Sequence, residues 1–383
     1  MNCYKIDIND FETFYKKLGC ESAGAKILAK KSNINLLYIK DLHTGAANIL
    51  KQDALSIGAD LAVPRGTILN VAPSVDCVLI GSNKHFEILA KKELSQPFGL
   101  KELAKQLKSF IKTTNCDVKI MGIINANDDS FFSGSRFKGD DAIDAILKMI
   151  DDGADIIDIG GVSSRPGSEA VSEEEELSRV KPICDAIKKR QLCDKINFSI
   201  DSYSPKVIKY ALESGFKIVN DITGLKNDEV AKISAKYGAT VVIMHMLNNP
   251  KTMQINPTYD NIILDIDRFF QQRIKKAKDF GIKDIVLDVG IGFGKTLEHN
   301  LILLNNLEHF KHFGYEILLG ASRKSMIEKI VKNTPANERL AGTLAIHLEG
   351  INKGATIIRC HDVKEHFQAI KVHKAIQDKY VAL

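Results

Sequence analysis

From about residue 118 the chain alternates short, nearly continuous apolar runs with longer amphipathic stretches. The runs fall at 118–125, 154–161, 196–201, 217–222, 240–245, 284–289, 316–322 and 356–361, and most are rich in Ile and Val. Apolar runs of this length, without polar alternation, suit strands buried on both faces of a parallel sheet. The stretches between them carry helix signals. Ser172 and Glu175 stand at capping-box spacing, and Glu173 to Glu176 suit the positive end of a helix dipole. Eight strand–helix units in a row predict an α/β fold, a closed (β/α)₈ TIM barrel over residues 116–383. Polar residues end almost every run: Asn125, Asp201, Asn220, His245, Asp288, Ser322 and His361. In a barrel these are the C-terminal strand ends, where the loops build an active site. One polar residue there is as readily a cap for the next helix. Recurrence at nearly every strand is what points to a site.

The first 115 residues pattern differently. Helical patterns at 9–19 and 22–31, strand-like runs at 34–39 and 76–81 and a helix over 99–112 predict a small α/β domain spanning 1–115. Residues 113–117 read as its linker to the barrel. The length of 383 residues suits one barrel of roughly 250 residues plus one smaller domain. A hydrophobic content of 44% and a charged content of 26% fit a globular protein with a large core. The net charge of +5 suits an anionic small substrate and is too diffuse for a nucleic-acid partner. The seven cysteines are scattered and never spaced C-x-x-C, against a disulfide framework or a structural zinc site. They point to a reducing, cytoplasmic compartment. The charged N-terminus has no apolar core of a signal peptide, and no run is long enough to cross a membrane.

The stretch GIGFGKT at 290–296 invites a nucleotide-binding P-loop reading, but Val289 stands where that motif needs its first glycine. A glycine-rich loop that lets the backbone and Phe293 approach a flat ligand is the better reading. The whole set of segments is more informative. MGIINANDDSFFSG (121–134), GGVSSRPG (160–167), SIDSYSP (199–205) and VNDITG (219–224) are followed by IMHMLNNPKTMQ (243–254), LDVGIGFGKT (287–296), GASRKSM (320–326) and IIRCHDV (357–363). Their order and wording closely resemble the dihydropteroate synthase family of pterin-binding barrels. The resemblance runs from about 119 to 375 and leaves the N-terminal domain, of unassigned role, outside it.

The resemblance implies a transferase of folate biosynthesis, a sulfonamide target, that joins a pterin pyrophosphate to p-aminobenzoate. Pterin binding falls to Asp201, Asn220, Met244, Asp288 and Lys324. A carboxylate and an amide read the pterin edge by paired hydrogen bonds, and Asp288 is the expected anchor. Lys324, Arg359 and His361 are the implied catalytic residues. Arg359 and His361 alternate along the last strand, so both face one side, and with Asn125 they are expected at the pyrophosphate. Asn125 is also the implied ligand of Mg²⁺, which needs few protein donors when phosphates supply the rest. The aminobenzoate site is assigned to Phe131, Ser164, Arg165, Pro166, Gly292, Phe293 and Ser325. The expected mechanism is substitution at the pterin methylene, driven by positioning and electrostatic stabilisation, with no general base for the neutral aniline. Competing readings are a helix cap for Asp201, a surface lysine for Lys324, a core histidine for His361 and core packing for the two phenylalanines.

The first loop departs from the family wording at Ala126-Asn127-Asp128, and Val162 and Ser164 replace Glu and Thr in the second. These changes bear on loop conformation and rate more than on pterin binding. A pterin-binding methyltransferase shares the Asp/Asn pocket but has no need of Lys324 or the Arg359-x-His361 pair. A catalytically weak pterin-binding protein is the other alternative. The expected partners are small-molecule substrates and, through barrel helices, a second copy in a homodimer.

Overall fold

The computed structural model describes residues 10–111, 117–126, 140–162 and 171–377, with Cys3, Ile6 and Ile8 as single positions. The chain divides into two compact units, one centred on Met1–Thr113 and the other comprising Thr114–Lys311 and Tyr315–His373.

The first unit is built on an antiparallel sheet of β1 (Ile34–His43), β2 (Asp60–Ala62) and β3 (Ser74–Ser82), with β3 in the centre. Both strands expected here extend further than their apolar runs, because β1 alternates instead of staying apolar. Leu37 and Ile39 turn toward a core of Ala46, Leu50, Leu79, Phe86, Leu89 and Leu107. Ile34, Leu36 and Tyr38 stand exposed on the opposite face. Helices Thr44–Leu55 and Asn83–Lys92 and strand β2 go beyond the expectation. The second of these helices starts from a capping box between Ser82 and His85.

The second unit is the expected barrel. Its strands are β4 (Lys119–Asn125), β5 (Ile156–Gly160), β6 (Asn197–Asp201), β7 (Ile218–Asp221), β8 (Thr240–Met244), β9 (Ile285–Asp288), β10 (Glu316–Leu319) and β11 (Ile357–Cys360). All pair in parallel, and closure runs in the order β10-β11-β4-β5-β6-β7-β8-β9. Helices between the strands begin where the sequence stops them fraying. Ser172 accepts the Glu175 N–H, Ser204 accepts the Val207 N–H ahead of Pro205, and Asn261 accepts from Ile263 and Leu264. One layer of the interior is plugged by Met121, Ile156, Ile218, Val242, Val286, Leu318 and Ile357, drawn from seven different strands. Side chains alternate across a strand, so the inward positions two residues further on lie one layer nearer the C-terminal ends. No helix among the described residues is long and apolar enough to cross a membrane.

Candidate active site

Two residues beyond the apolar plug, the inward positions change character. Ile156 is followed by Asp158, Ile218 by Asn220, Val242 by Met244, Val286 by Asp288, Leu318 by Gly320 and Ile357 by Arg359. Asp201 joins this layer from the end of β6, paired in register with Asn220. Polar groups from β5, β6, β7, β9 and β11 therefore sit on an apolar floor, close to the C-terminal rim, while β4 keeps an apolar residue, Ile123, at the matching position.

The groups are connected across the lumen. The Arg359 guanidinium donates through Nε to Asp158 Oδ2 at 2.6 Å and through an Nη to Asp201 Oδ2 at 2.7 Å. Asn220 Nδ2 donates to the same Asp158 oxygen at 3.1 Å. These bonds join β11 to β5 and β6, and β7 to β5, passing over intervening strands, so they lie inside the barrel. Burial pushes the Asp201 carboxyl up, against the pull of Arg359. Burial likewise raises Asp288, while its bond from the Gly290 N–H at 2.7 Å and the nearby Lys324 and Lys295 pull it down. Met244 closes β8 beside Asp288 as its register partner and is buried there. Asp201 is thus an interior carboxylate; the helix cap that competed for it is Ser204.

Lys324 is not a surface lysine. Its ammonium donates to the Ile291 carbonyl at 2.6 Å and lies 4.0 Å from the centre of the Phe293 ring, a cation–π contact. Burial pushes it down to about 7, with Asp288 opposing and Arg359 assisting. Gly292 is needed beneath it: φ is 82°, and a Cβ there would come 3.1 Å from Lys324 Cδ. Phe293 is half-buried, and Ser325 is exposed as the first residue of the helix Ser325–Ile330. His361 Nδ1 meets Ser322 Oγ at 2.9 Å, which ties the end of β11 to the loop after β10. Asn125 closes β4 half-buried, next to Gly160 across the ladder. The structure thus brings Asp201, Asn220, Met244, Asp288, Lys324 and Arg359 to one end of the lumen. Phe131, Ser164, Arg165 and Pro166 lie outside the described residues.

Three features went unread in the sequence. Asp158 is fully buried within the run IIDIGG; its only signal is a charge inside an otherwise apolar strand. Lys295, dismissed with the P-loop reading, is also buried. Its Nζ meets His245 Nδ1 at 3.0 Å, the His245 carbonyl at 3.3 Å and the Phe293 carbonyl at 2.9 Å. Three acceptors match the three protons of an ammonium, although burial presses Lys295 down to about 7. The third feature is a relay behind the loop carrying Lys324. The Ala321 N–H donates to His347 Nε2 at 3.2 Å, His347 Nδ1 meets His366 Nε2 at 2.8 Å, and His366 Nδ1 meets the Asp362 carbonyl at 2.6 Å. The N–H at one end and the carbonyl at the other set both tautomers. The loop needs such support, because Arg323 is held at φ 56°, with a bond from its N–H to Thr343 Oγ1 at 3.0 Å.

Residues 121–361 match the family model described as pterin binding enzyme. A bifunctional dihydropteroate synthase/dihydropteroate reductase from Helicobacter pylori is 40% identical over 364 residues, 95% of this chain and 96% of that protein. A dihydropteroate synthase from Clostridium beijerinckii is 48% identical over 258 residues, 66% of this chain and 92% of its own. Among solved structures, a Yersinia pestis dihydropteroate synthase in a sulfonamide drug complex superposes with a TM-score of 0.66. It is 39% identical and covers 68% of this chain and 95% of that one.

Proposed function

Because this chain belongs to the pterin binding enzyme family, we infer that its barrel is a dihydropteroate synthase. It condenses 6-hydroxymethyl-7,8-dihydropterin pyrophosphate with p-aminobenzoate, giving 7,8-dihydropteroate and pyrophosphate. The observation that carries this reading is the gathering of Asp201, Asn220, Asp288, Lys324 and Arg359 at one end of a plugged barrel. Asp288 and Asn220 offer acceptors to the N–H edge of the pterin, Asp201 a second carboxylate and Lys324 a donor to its carbonyl side. Met244 supplies an apolar wall to the ring. As the methylene–oxygen bond breaks, negative charge grows on pyrophosphate, and Arg359 on β11 and His361 just beyond its end are the groups assigned to meet it. The conjugated ring stabilises the electron-poor methylene, and the aniline nitrogen attacks it. Phe293, Gly292 and Ser325 form the described side of the arylamine pocket, and Phe131, Ser164, Arg165 and Pro166 are assigned to it from the sequence.

Asn125 fits the Mg²⁺ that this reading implies. It offers a single hard oxygen from a half-buried side chain at the C-terminal end of β4, and phosphate and water can supply the other ligands. When bound, the ion would neutralise charge on the pyrophosphate. The free thiols of Cys20, Cys77, Cys184, Cys193 and Cys360 support a reducing cytoplasmic setting. A homodimer remains the expected assembly, to be measured by sedimentation.

A second reading concerns the first unit. The Helicobacter relative matches across this unit as well as the barrel, and its name includes a reductase. On that basis the full chain also reduces dihydropteroate: a hydride adds to the carbon of the C=N bond, a proton adds to the nitrogen, and a reduced nicotinamide or flavin supplies the electrons.

The test mixes the full chain with the pterin pyrophosphate, p-aminobenzoate and Mg²⁺, omitting each in turn. Stoichiometric dihydropteroate and pyrophosphate are expected. Pterin binding without product would replace the synthase reading with that of a binding protein. Adding dihydropteroate with a reduced nicotinamide and flavin tests the second reading, which fails if no tetrahydropteroate forms.

A further inference from the structure

We propose that Asp158 is a positioning residue for pterin recognition, holding Asn220 with its amide oxygen turned toward the ligand. The inference rests on the pterin-binding part of the proposed function. Asp158 is fully buried in mid-strand, and one of its oxygens, Oδ2, receives both Asn220 Nδ2 at 3.1 Å and Arg359 Nε at 2.6 Å. An asparagine amide can face a neighbour with either its oxygen or its nitrogen. A carboxylate tied to a guanidinium only accepts, so only the Asn220 NH₂ can face it. The opposite sense would set oxygen against oxygen in a water-poor interior, where a lost hydrogen bond is costly. Asn220 Oδ1 is thereby committed as an acceptor for a ring N–H, which is what distinguishes a pterin edge from one that offers only lone pairs.

A second observation places Asp158 in the binding machinery rather than in the scaffold alone. Its other oxygen, Oδ1, and the hydroxyl of Ser199, its register partner on β6, are both buried without a hydrogen-bond partner among the described residues. A carboxylate serving only to hold the barrel together would be expected to have both oxygens satisfied. Asp158 instead gives one oxygen to two ligand-facing side chains. Arg359 in turn reaches Asp201, so a single buried carboxylate orders three groups from β6, β7 and β11.

The test is a binding titration with 6-hydroxymethylpterin on the full chain, accompanied by synthase kinetics and thermal melts. Asp158→Asn can donate or accept, so it no longer dictates the amide sense of Asn220. It is expected to weaken pterin binding about tenfold, a loss of one hydrogen bond's worth of order, and to raise the KM for the pterin pyrophosphate more than it lowers kcat. The exchanged pair Asp158→Asn with Asn220→Asp puts the donor on β5 and an acceptor toward the ligand. It is expected to recover at least threefold of the lost affinity. A purely structural role predicts that the double variant is no better than the single one, and that result overturns the proposal. So does wild-type pterin affinity in Asp158→Asn, or a wild-type chain that binds no pterin. If Asp158→Asn fails to fold, the exchanged pair, which keeps one carboxylate and one amide in the same volume, decides alone by binding or not binding pterin. A wild-type chain that binds pterin but makes no dihydropteroate defeats the synthase reading and leaves this titration standing.

Discussion

At the scale of single residues, the site opposes buried charges whose ionisation limits activity from both sides. Lys324 is pushed down to about 7, so its ammonium is lost as pH rises through that value. Asp201 and Asp288 are raised, so their carboxylates are lost at a higher pH than usual as the solution is acidified. The expected result is a narrow bell in kcat/KM, which reports the free enzyme. Lys324→Arg, whose charge persists, should lower the maximum and move the alkaline limb upward; a limb that stays in place would assign it to another group. Glycine positions give a second comparison. Gly290 has φ 67°, and a Cβ there would lie 2.0 Å from the His245 carbonyl oxygen. Gly290→Ala should therefore cost about 3 kcal/mol, combining left-handed strain with overpacking. Gly238 also has a left-handed φ, 63°, but nothing within 4 Å, so Gly238→Ala should cost only about 1 kcal/mol in denaturant melts.

At the scale of elements, the loops after β8 and β9 are held together by Lys295, and the loop after β10 by the His347–His366 relay. Lys295→Met strands the buried His245 carbonyl and the half-buried Phe293 carbonyl, and frees the segment that carries Phe293. It should raise the KM for p-aminobenzoate more than the KM for the pterin substrate, which initial-rate kinetics would separate. Both relay histidines are held below the ordinary histidine value by burial. Folding therefore favours their neutral forms. Their contribution is complete above the unfolded value of about 6.5 and is lost as pH falls below it, by up to ~1.4 kcal/mol per group and pH unit. His347→Gln keeps an acceptor for the Ala321 N–H, and should flatten the fall in melting temperature between pH 7 and 5.5. These devices were hidden in the sequence for a physical reason. A clasp is made by residues distant along the chain, and Lys295 and His347 carry no local pattern that distinguishes them from surface residues. The barrel strands were legible because burial on both faces leaves continuous apolar runs. Those in the first unit were underestimated because β1 alternates. Helices Thr44–Leu55 and Asn83–Lys92 were passed over, since alanines make up most of the buried face of the first and the capping box of the second pairs Ser82 with a histidine instead of the usual Glu or Gln.

At the scale of the molecule, the gathering of Asp201, Asn220 and Asp288 at one end of the lumen was legible because a barrel concentrates its strand ends on one rim, so a polar residue closing each run carries a position as well as a chemistry. Asp158 escaped because β5 runs on past it to Gly160, so it lies inside an apolar run rather than at its end, although it shares the layer of Asn220 and Asp288. Binding should couple to the stability of the whole barrel, since its ligands hang from different strands. With pterin at about a hundredfold its Kd, stabilisation of about 2.7 kcal/mol is expected, a rise of about 5 °C or more in melting temperature. Asp288→Asn should abolish that rise, and an unchanged shift would remove Asp288 as the anchor. The staves of the barrel hold Asp201, Asn220 and Asp288, whereas Phe293 and Ser325 stand on connections that carry none of its ladder. Heritable escape from an inhibitor is therefore cheap on one side and expensive on the other. On the proposed reading, a drug shaped like the arylamine faces a wall that can be rewritten one codon at a time, while a drug shaped like the pterin faces buried strand residues, where few replacements still seat the pterin that the reaction itself must bind.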